Sequence, residues 1–230
     1  MEAIRAGRAT EVLIGDWAKP VQSFSEIREA ASNRSIPVRV IPWVKLDEID
    51  ANHRGVVARV GRAGEISERT LSDWNFGEAD VVVVLDGITD PQNLGAAARA
   101  AEAAGVAMLV TRIRRSAAVT ASAVRASAGA LLHLPVARVT NLTRSLDRLK
   151  DVGFTVVGLD GSASRTIYED RCPEGRVALV VGSEGEGISR LVRESCDVLV
   201  ALPMHGSVES LNASAALAAA LYGYVLPSRS

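Results

Sequence analysis

The chain carries at residues 81–104 the sequence VVVVLDGITDPQNLGAAARAAEAA. Its first five residues are all apolar, which is typical of a strand covered on both faces of a sheet. Asp90-Pro91 then predicts a turn, and alanine-rich sequence predicts a helix over 93–104 that ends at Gly105. A buried strand followed at once by a helix is the repeating unit of parallel α/β sheets.

The same alternation continues toward the C-terminus. A second helix is predicted over 142–152, between Thr140-Asn141, which can cap its first turn, and Gly153, which can end it. Further strands are predicted at 106–110, 132–136, 154–159, 177–181 and 198–202. The sequence therefore predicts an α/β domain with a mostly parallel sheet.

A smaller α/β pattern precedes this domain. Strands are predicted at 10–15, 38–42 and 55–60, and a helix over 21–33 with its apolar residues on one face. Residues 63–78 are acidic and lack a sustained apolar period, so we interpret them as a linker. The predicted organisation is a small module over 1–62, the linker, and a larger domain over 79–230.

Composition excludes several classes of protein. With 26 basic and 27 acidic residues, 48% hydrophobic residues and two cysteines, the chain is neither a disordered protein nor a disulfide scaffold. Its apolar runs are shorter than the roughly 20 residues needed to cross a bilayer, and its start has no signal-peptide pattern. We expect a cytoplasmic protein in which Cys172 and Cys196 are reduced.

The first motif, residues 85–101, joins a predicted strand end to a helix start, where open α/β sheets place ligands. Asn93 and Arg99 lie about 600° apart around the helix, so Asn93 is expected in the loop before the helix and Arg99 on its side, buried among alanines. The alternative is that Asn93 only caps the helix and that Arg99 is a surface residue.

The second motif, residues 180–189, contains GSEGEG after a predicted strand. Its glycines would let a ligand lie against bare backbone. The spacing is not that of a dinucleotide-binding loop, and Glu184 and Glu186 would repel a pyrophosphate. A nicotinamide oxidoreductase is therefore disfavoured, and a cationic or hydroxyl-bearing ligand is favoured.

The third motif, residues 202–216, reads LPMHGSVESLNASAA. It contains a predicted strand end, a glycine-containing loop and a helix start. One polar side chain is enough to cap a helix. Ser207, Ser210 and Asn212 exceed that need, so we expect them to hold polar groups of a ligand.

These three motifs, in this order and spacing, resemble those of the SpoU group of RNA ribose 2′-O-methyltransferases in the knotted SPOUT superfamily. The matching patterns are DPxNxGxxxR from Asp90, GxEGxG from Gly182 and PMxGxxxSLN from Pro203. The front module, with HRGVVA at 53–58, is similar to the L30-like RNA-binding module that precedes the catalytic domain of bacterial 23S rRNA guanosine-2′-O-methyltransferases. Because the chain begins inside that module's usual opening, we expect the module to be truncated at its start.

The resemblance implies a C-terminal trefoil knot that binds S-adenosylmethionine, and it implies that the three motifs converge into one crevice. The implied cofactor-binding residues are Gly182, Leu202, Leu211, Met204, Ser207 and Leu159. No metal is expected, since the histidines and cysteines are scattered along the chain.

The resemblance also implies that Arg99 activates the ribose hydroxyl, while Asn93, Glu184, Ser210 and Asn212 orient it and the substrate. Because a guanidinium is a poor base, stabilisation of the developing alkoxide is the role we assign to Arg99. Family members act as homodimers. The apolar, alanine-rich stretch 208–226 independently favours a helix with a partner on more than one side.

Arg112, Arg114 and Arg115 fall within four residues, and we predict that they contact RNA phosphates; a solvated polar face is the alternative. The predicted function is S-adenosylmethionine-dependent 2′-O-methylation of RNA, with 23S rRNA favoured by the front module. A tRNA substrate and a noncatalytic RNA-binding protein of the same fold are the alternatives.

Overall fold

The structure, a computed structural model, describes residues 1–17, 22–60, 65–68, 70–208 and 210–229. The chain divides into two compact units, residues 1–63 and 64–230. Among the helices of the described ranges, none is both long and apolar enough to span a membrane.

The first unit is built on a three-stranded sheet of order β2-β1-β3, in which β1 pairs parallel with β2 and antiparallel with β3. The predicted strands and helix are confirmed, although Val21 lies outside the described residues; the helix after Pro42 was not predicted. The elements are α1 (Glu2–Arg5), β1 (Ala9–Gly15), α2 (Gln22–Ser32), β2 (Val38–Ile41), α3 (Trp43–Ile49) and β3 (Val56–Val60).

The second unit contains a seven-stranded sheet of order β10-β8-β9-β5-β6-β7-β4, in which every pairing is parallel. The predicted mostly parallel α/β architecture is confirmed. The elements are β4 (Glu65–Ser67), β5 (Val81–Asp86), α4 (Pro91–Ala103), β6 (Met108–Arg112), α5 (Ala121–Ala126), β7 (Val136–Val139), α6 (Leu142–Asp151), β8 (Phe154–Leu159), β9 (Arg176–Gly182), α7 (Arg190–Glu194), β10 (Val198–Val200) and α8 (Ala213–Ala220).

Two hydrophobic layers cover this sheet, which explains the continuous apolar runs. On β5, Val81, Val83 and Leu85 pack into the layer that contains α4 and α8, whereas Val82 and Val84 pack into the layer that contains α6. Because successive side chains of a strand point to opposite faces, burial on both faces requires every residue to be apolar.

Residues 63–78, interpreted above as a linker, belong in part to the sheet and core of the second unit. Strand β4 pairs with β7, Leu71 is fully buried, and Phe76 packs edge-to-face on Phe154 with ring centroids 4.8 Å apart. Burial here is carried by single apolar residues among polar ones. Such a pattern has no period for a sequence analysis to detect.

Two further secondary-structure elements begin at later residues than the sequence predicted. The strand predicted at 132–136 is β7, Val136–Val139, and the buried leucines before it form a 3₁₀ turn, Ala130–Leu132, that follows Gly129 at φ 91°. The C-terminal helix predicted from 208 begins at Ala213, and its last turn widens into a π-helical turn, Leu221–Val225. Apolar runs alone do not distinguish a strand from a buried turn.

Candidate functional site

The first and second motifs leave the sheet side by side at its carboxyl edge. Asp86, the last residue of β5, pairs with Gly182, the last residue of β9. From this centre the sheet extends through β6 in one direction and through β8 in the other. A position where the chain departs in opposite directions is the usual ligand-binding point of an open parallel sheet.

Three polar side chains, one from each motif, form a hydrogen-bonded triangle at this edge. Asn93 Nδ2 donates to Glu184 Oε1 at 2.8 Å, and Asn212 Nδ2 donates both to that oxygen at 2.6 Å and to Asn93 Oδ1 at 2.9 Å. Asn93 is half-buried, and Glu184 and Asn212 are exposed. The triangle therefore joins residues far apart in sequence and remains open to solvent.

Helix capping fixes the orientation of two corners of the triangle. The cap of α4 is Asp90, whose side chain accepts from Gln92 N, so Asn93 is not needed as a cap. The expectation that Asn93 lies in the loop before the helix is wrong, because α4 begins at Pro91 and Asn93 is in its first turn. At the start of α8, Asn212 Oδ1 accepts from Ser214 N at 2.9 Å. This bond leaves the amide of Asn212 free to donate toward Glu184.

Arg99 lies on α4, about 9 Å along the helix axis from Asn93 at 1.5 Å per residue. The expectation that it is buried among alanines is wrong, because Arg99 is exposed. The helix instead buries its small residues, and a Cβ on Gly95 would overlap Ala126 of α5. The Arg99 guanidinium makes no hydrogen bond or ion pair with any residue the structure describes, so it is available to a ligand.

The glycines of the second motif allow close contacts within the backbone of the protein itself. A Cβ on Gly182 would overlap the backbone of Gly187 and Ile188, and Ser183 and Gly187 exchange two backbone hydrogen bonds. Gly185 has φ 80°, a conformation that side chains disfavour. The loop is therefore a tight, preformed turn that presents Glu184, and Gly182 provides the close contact on which this turn depends.

The loop of the third motif makes no hydrogen bonds to the rest of the described chain over residues 202–208 and 210–211. It exposes Met204 and Leu211, at 38% and 41%, and it leaves the hydroxyls of Ser207 and Ser210 without partners in the part of the chain described. Leu202 and Leu159, at the ends of the neighbouring strands, are half-buried. Exposed apolar side chains beside unpaired backbone amides are the features of a binding loop.

Comparison with known proteins identifies the family that shares this arrangement. The sequence profile of the SpoU rRNA methylase family matches residues 80–222, a range that contains all three motifs. The chain belongs to the SpoU rRNA methylase family.

Relatives of this SpoU methylase extend the match beyond the profile. It is 39% identical over 225 residues to a putative TrmH family tRNA/rRNA methyltransferase of Staphylococcus epidermidis, covering 96% of this chain and 90% of the relative. It is 43% identical over 196 residues to the 23S rRNA (guanosine-2'-O-)-methyltransferase RlmB of Salmonella typhi, covering 84% and 80% of the two chains.

Solved structures also match this SpoU methylase along its length. The SpoU methyltransferase AviRb from Streptomyces viridochromogenes has a TM-score of 0.82 at 26% identity, covering 99% of this chain and 86% of that one. The structure of AviRb in complex with the cofactor AdoMet has a TM-score of 0.80 at 24% identity, covering 98% and 86%. The latter likeness concerns the fold.

The three clustered arginines of the SpoU methylase differ in their surroundings. Arg112, on β6, pairs with Asp86 Oδ1 at 3.0 Å, and the Asp86 side chain is only 4% exposed. Arg114 and Arg115 are exposed and have no ion pair with any described residue. Arg112 is thus held by Asp86, whereas the guanidinium groups of Arg114 and Arg115 have no ion-pair partner among the described residues.

Asp86 is a residue of this site that the sequence analysis missed. Its second oxygen, Oδ2, accepts from Ser189 N at 2.8 Å, at the end of the second motif. A carboxylate directly after a buried strand was the available signal. Within the described ranges, no group of three or more histidine, cysteine, aspartate or glutamate side chains could hold a metal ion.

Proposed function

We propose that this SpoU methylase transfers a methyl group from S-adenosylmethionine to a ribose 2′-hydroxyl of RNA, with 23S rRNA as its substrate. The observation that carries the proposal is the triangle of Asn93, Glu184 and Asn212. It joins the three family motifs at the carboxyl edge of the sheet and remains accessible to a polynucleotide.

The chemistry of the third-motif loop fits S-adenosylmethionine. Adenine needs hydrogen bonds at its edge and apolar contacts on its faces, and the loop offers unpaired backbone amides beside Met204 and Leu211. We assign the binding of the cofactor to Gly182, Leu202, Leu211, Met204, Ser207 and Leu159. When bound, the cofactor supplies an electrophilic methyl group on a sulfonium.

The residues of the protein have to orient the ribose hydroxyl and stabilise the charge that develops on it. A ribose hydroxyl is a weak acid, so the transition state places negative charge on oxygen. Arg99, exposed and without an ion-pair partner among the described residues, stabilises that charge. Glu184 Oε2, which accepts no hydrogen bond from a described residue, and the Ser210 hydroxyl position the ribose.

RNA phosphates contact the exposed side chains of Arg114 and Arg115. The small first unit is an L30-like RNA-binding module that adds contacts outside the catalytic unit. These contacts position the substrate without reading its sequence, as phosphate contacts do in general.

A trefoil knot and a homodimer complete the proposal. The knot is supported by the bridge between Thr166 and Ala201 and by the bond from the Tyr224 hydroxyl to Arg171 O, both of which bring C-terminal residues against the loop after β8. The dimer contact is assigned to 208–226, where Val208 and Tyr222 are exposed. A cytoplasmic location follows from an rRNA substrate.

The function is tested by mapping ribose methylation across the rRNA and tRNA of a deletion strain and its parent. Loss of one 23S rRNA 2′-O-methyl group, restored by the purified protein and S-adenosylmethionine in vitro, is expected. Loss of a tRNA methyl group instead would change the substrate assignment. An unchanged map, together with no transfer in vitro, would support a noncatalytic RNA-binding protein.

A further inference from the structure

Asp86 lies at both ends of the loop that carries Glu184, beside one end through its backbone and bonded to the other through its carboxylate. It pairs with Gly182 in the register of β5 and β9, and its Oδ2 accepts from Ser189 N at 2.8 Å. Gly182 and Ser189 flank the tight turn of 183–187. The backbone of Asp86 therefore lies beside one end of the segment from which Glu184 reaches Asn93 and Asn212, and its carboxylate holds the other end.

Arg112 keeps this buried carboxylate in place. Its guanidinium pairs with Asp86 Oδ1 at 3.0 Å and donates to Ser189 Oγ at 3.3 Å, so it contacts both the carboxylate and the residue that the carboxylate holds. A buried carboxylate needs a cationic or hydrogen-bonding partner for its charge. Here Oδ1 pairs with Arg112, and Oδ2 accepts a hydrogen bond from the Ser189 amide. A single residue from β6 thus joins β5 to the second motif.

We propose that Asp86 and Arg112 are positioning residues for methyl transfer, which act through Glu184 by holding the 183–189 loop. The proposal rests on the proposed function. This role requires no contact of either side chain with substrate or cofactor, because the pair fixes the backbone on which the triangle depends. Displacement of a positioned group by about 1 Å can cost about 100-fold in rate.

The decisive experiment is a double-mutant cycle in the full chain, with single-turnover methylation of 23S rRNA as readout. Asp86→Asn is nearly isosteric and keeps an acceptor, and it is expected to lower the transfer rate 10- to 100-fold with the KM for RNA within threefold. In a Glu184→Gln background, the same substitution should lower the rate less than threefold, because the two residues act through one geometry.

Arg112→Lys provides a second variant that keeps the charge. Both contacts come from Nη2 of Arg112, and the shorter side chain of lysine places its Nζ one atom short of that position. We therefore expect a rate loss of the same order, non-additive with Glu184→Gln. Hydrogen exchange gives a readout independent of activity. The amides of Gly187 and Ser189 should exchange at least tenfold faster in both variants.

Asp197→Asn is the matched control. Asp197 also accepts from a backbone amide, that of Val156 at 2.8 Å, and also pairs with a cation, Lys150, at 2.7 Å. It precedes β10 at the opposite, amino-terminal edge of the sheet. This substitution should leave the transfer rate within twofold and the exchange at Gly187 and Ser189 unchanged.

The outcomes separate the two proposals. A protein that methylates RNA while Asp86→Asn keeps the full rate, or loses the same factor in both Glu184 backgrounds, would overturn the positioning role alone. Failure of the unsubstituted protein to methylate any RNA would overturn the proposed function, and the positioning role with it.

Discussion

Asn212 Nδ2 lies 2.6 Å from Glu184 Oε1, so the start of α8 is joined directly to the loop after β9. The same amide reaches Asn93 Oδ1, and its oxygen caps α8 by accepting from Ser214 N. The oxygen of the Asn212 side chain therefore caps a helix, whereas its nitrogen donates hydrogen bonds within the candidate site. A substitution can remove the second interaction and keep the first.

Asn212→Asp keeps the cap oxygen and replaces the donor nitrogen by a second carboxylate oxygen beside Glu184. Aspartate is as good a cap as asparagine, so the melting temperature should stay within a few degrees. Methyl transfer should fall at least 100-fold at neutral pH, because two ionised carboxylates repel at this distance. A transfer rate equal to that of the unsubstituted protein would contradict a role for the triangle.

Arg99→Ala tests the charge-stabilising role of an exposed side chain. Because Arg99 has no ion pair among the described residues, its removal should change the free energy of unfolding by less than about 0.5 kcal/mol. Loss of an oxyanion-stabilising group costs about 100- to 1,000-fold in kcat. The measurements are single-turnover transfer and calorimetric titration with S-adenosylmethionine, whose affinity should stay within a few fold. Normal turnover would remove Arg99 from the site.

Gly182→Ala tests the close packing beneath Glu184. The added Cβ would overlap the backbone of Gly187 and Ile188, which cannot move without shifting the turn. We expect a loss of about 1–3 kcal/mol in the free energy of unfolding, measured in urea, together with loss of transfer. Gly161→Ala is the control, since a Cβ there meets nothing within 4 Å, and it should be nearly neutral. Equal stabilities of the two variants would argue against the contact.

Part of this site could be predicted from the sequence because its motifs follow the ends of buried strands. The family resemblance implied that the motifs converge, and the structure brings Asn93 and Glu184 together because β5 and β9 are neighbours whose carboxyl ends meet. The exposure of Arg99 could not be predicted, since it depends on which face of α4 packs against α5 and α8. The ion pair of Arg112 depends on Asp86, which lies 26 residues earlier on a neighbouring strand. No local sequence pattern predicts such a pair.

The short strand β4 was missed for a different physical reason. Three residues cannot show the alternation that identifies a strand, and the segment is anchored by polar contacts after it. Glu68 Oε2 accepts from both Thr140 N, at 3.1 Å, and Thr140 Oγ1, at 2.6 Å, and Arg144 and Arg148 lie within ion-pair distance of its Oε1. Acidic composition suggested a solvated linker, whereas this carboxylate holds the segment to the start of α6.

Glu68→Gln tests how much the Glu68 carboxylate contributes to the free energy of unfolding, and how this contribution depends on pH. The hydrogen bond from the Thr140 side chain, with the nearby arginines, lowers the pKa of Glu68 below 4.5, against an opposing effect of burial. A lowered pKa means that the stabilisation is present above the unfolded value and is lost as the pH falls through the folded one. The difference in unfolding free energy between the two proteins should be about 1 kcal/mol or less at pH 7 and should shrink as the pH falls through the lowered pKa of Glu68.

The control for this comparison is Glu194→Gln, which removes one partner of an exposed pair with Arg190. Its effect should be a few tenths of a kcal/mol. If the Glu68→Gln difference, measured by urea unfolding, stayed constant from pH 7 to pH 3, the carboxylate would not be the anchoring group.

The two thiols should be poorly reactive in the folded protein. Burial raises the pKa of Cys196 from 9.0 to about 12, and the Cys196 thiol donates to Val192 O at 3.3 Å. Burial also raises the pKa of Cys172. Because only the thiolate reacts, alkylation of Cys196 at pH 8 should be at least roughly 100-fold slower in the folded protein than in the unfolded chain.

A raised thiol pKa also has a consequence for stability. The folded state favours the protonated thiol, so this contribution to the free energy of unfolding is complete below pH 9 and declines as the pH rises toward 12. Labelling with a thiol reagent at pH 8, with and without denaturant, measures the protection, and Cys172→Ala isolates the signal of Cys196. Complete labelling of the native protein within minutes would mean that the region between α7 and β10 opens far more often than its burial implies, because reaction through local opening bypasses the folded-state pKa.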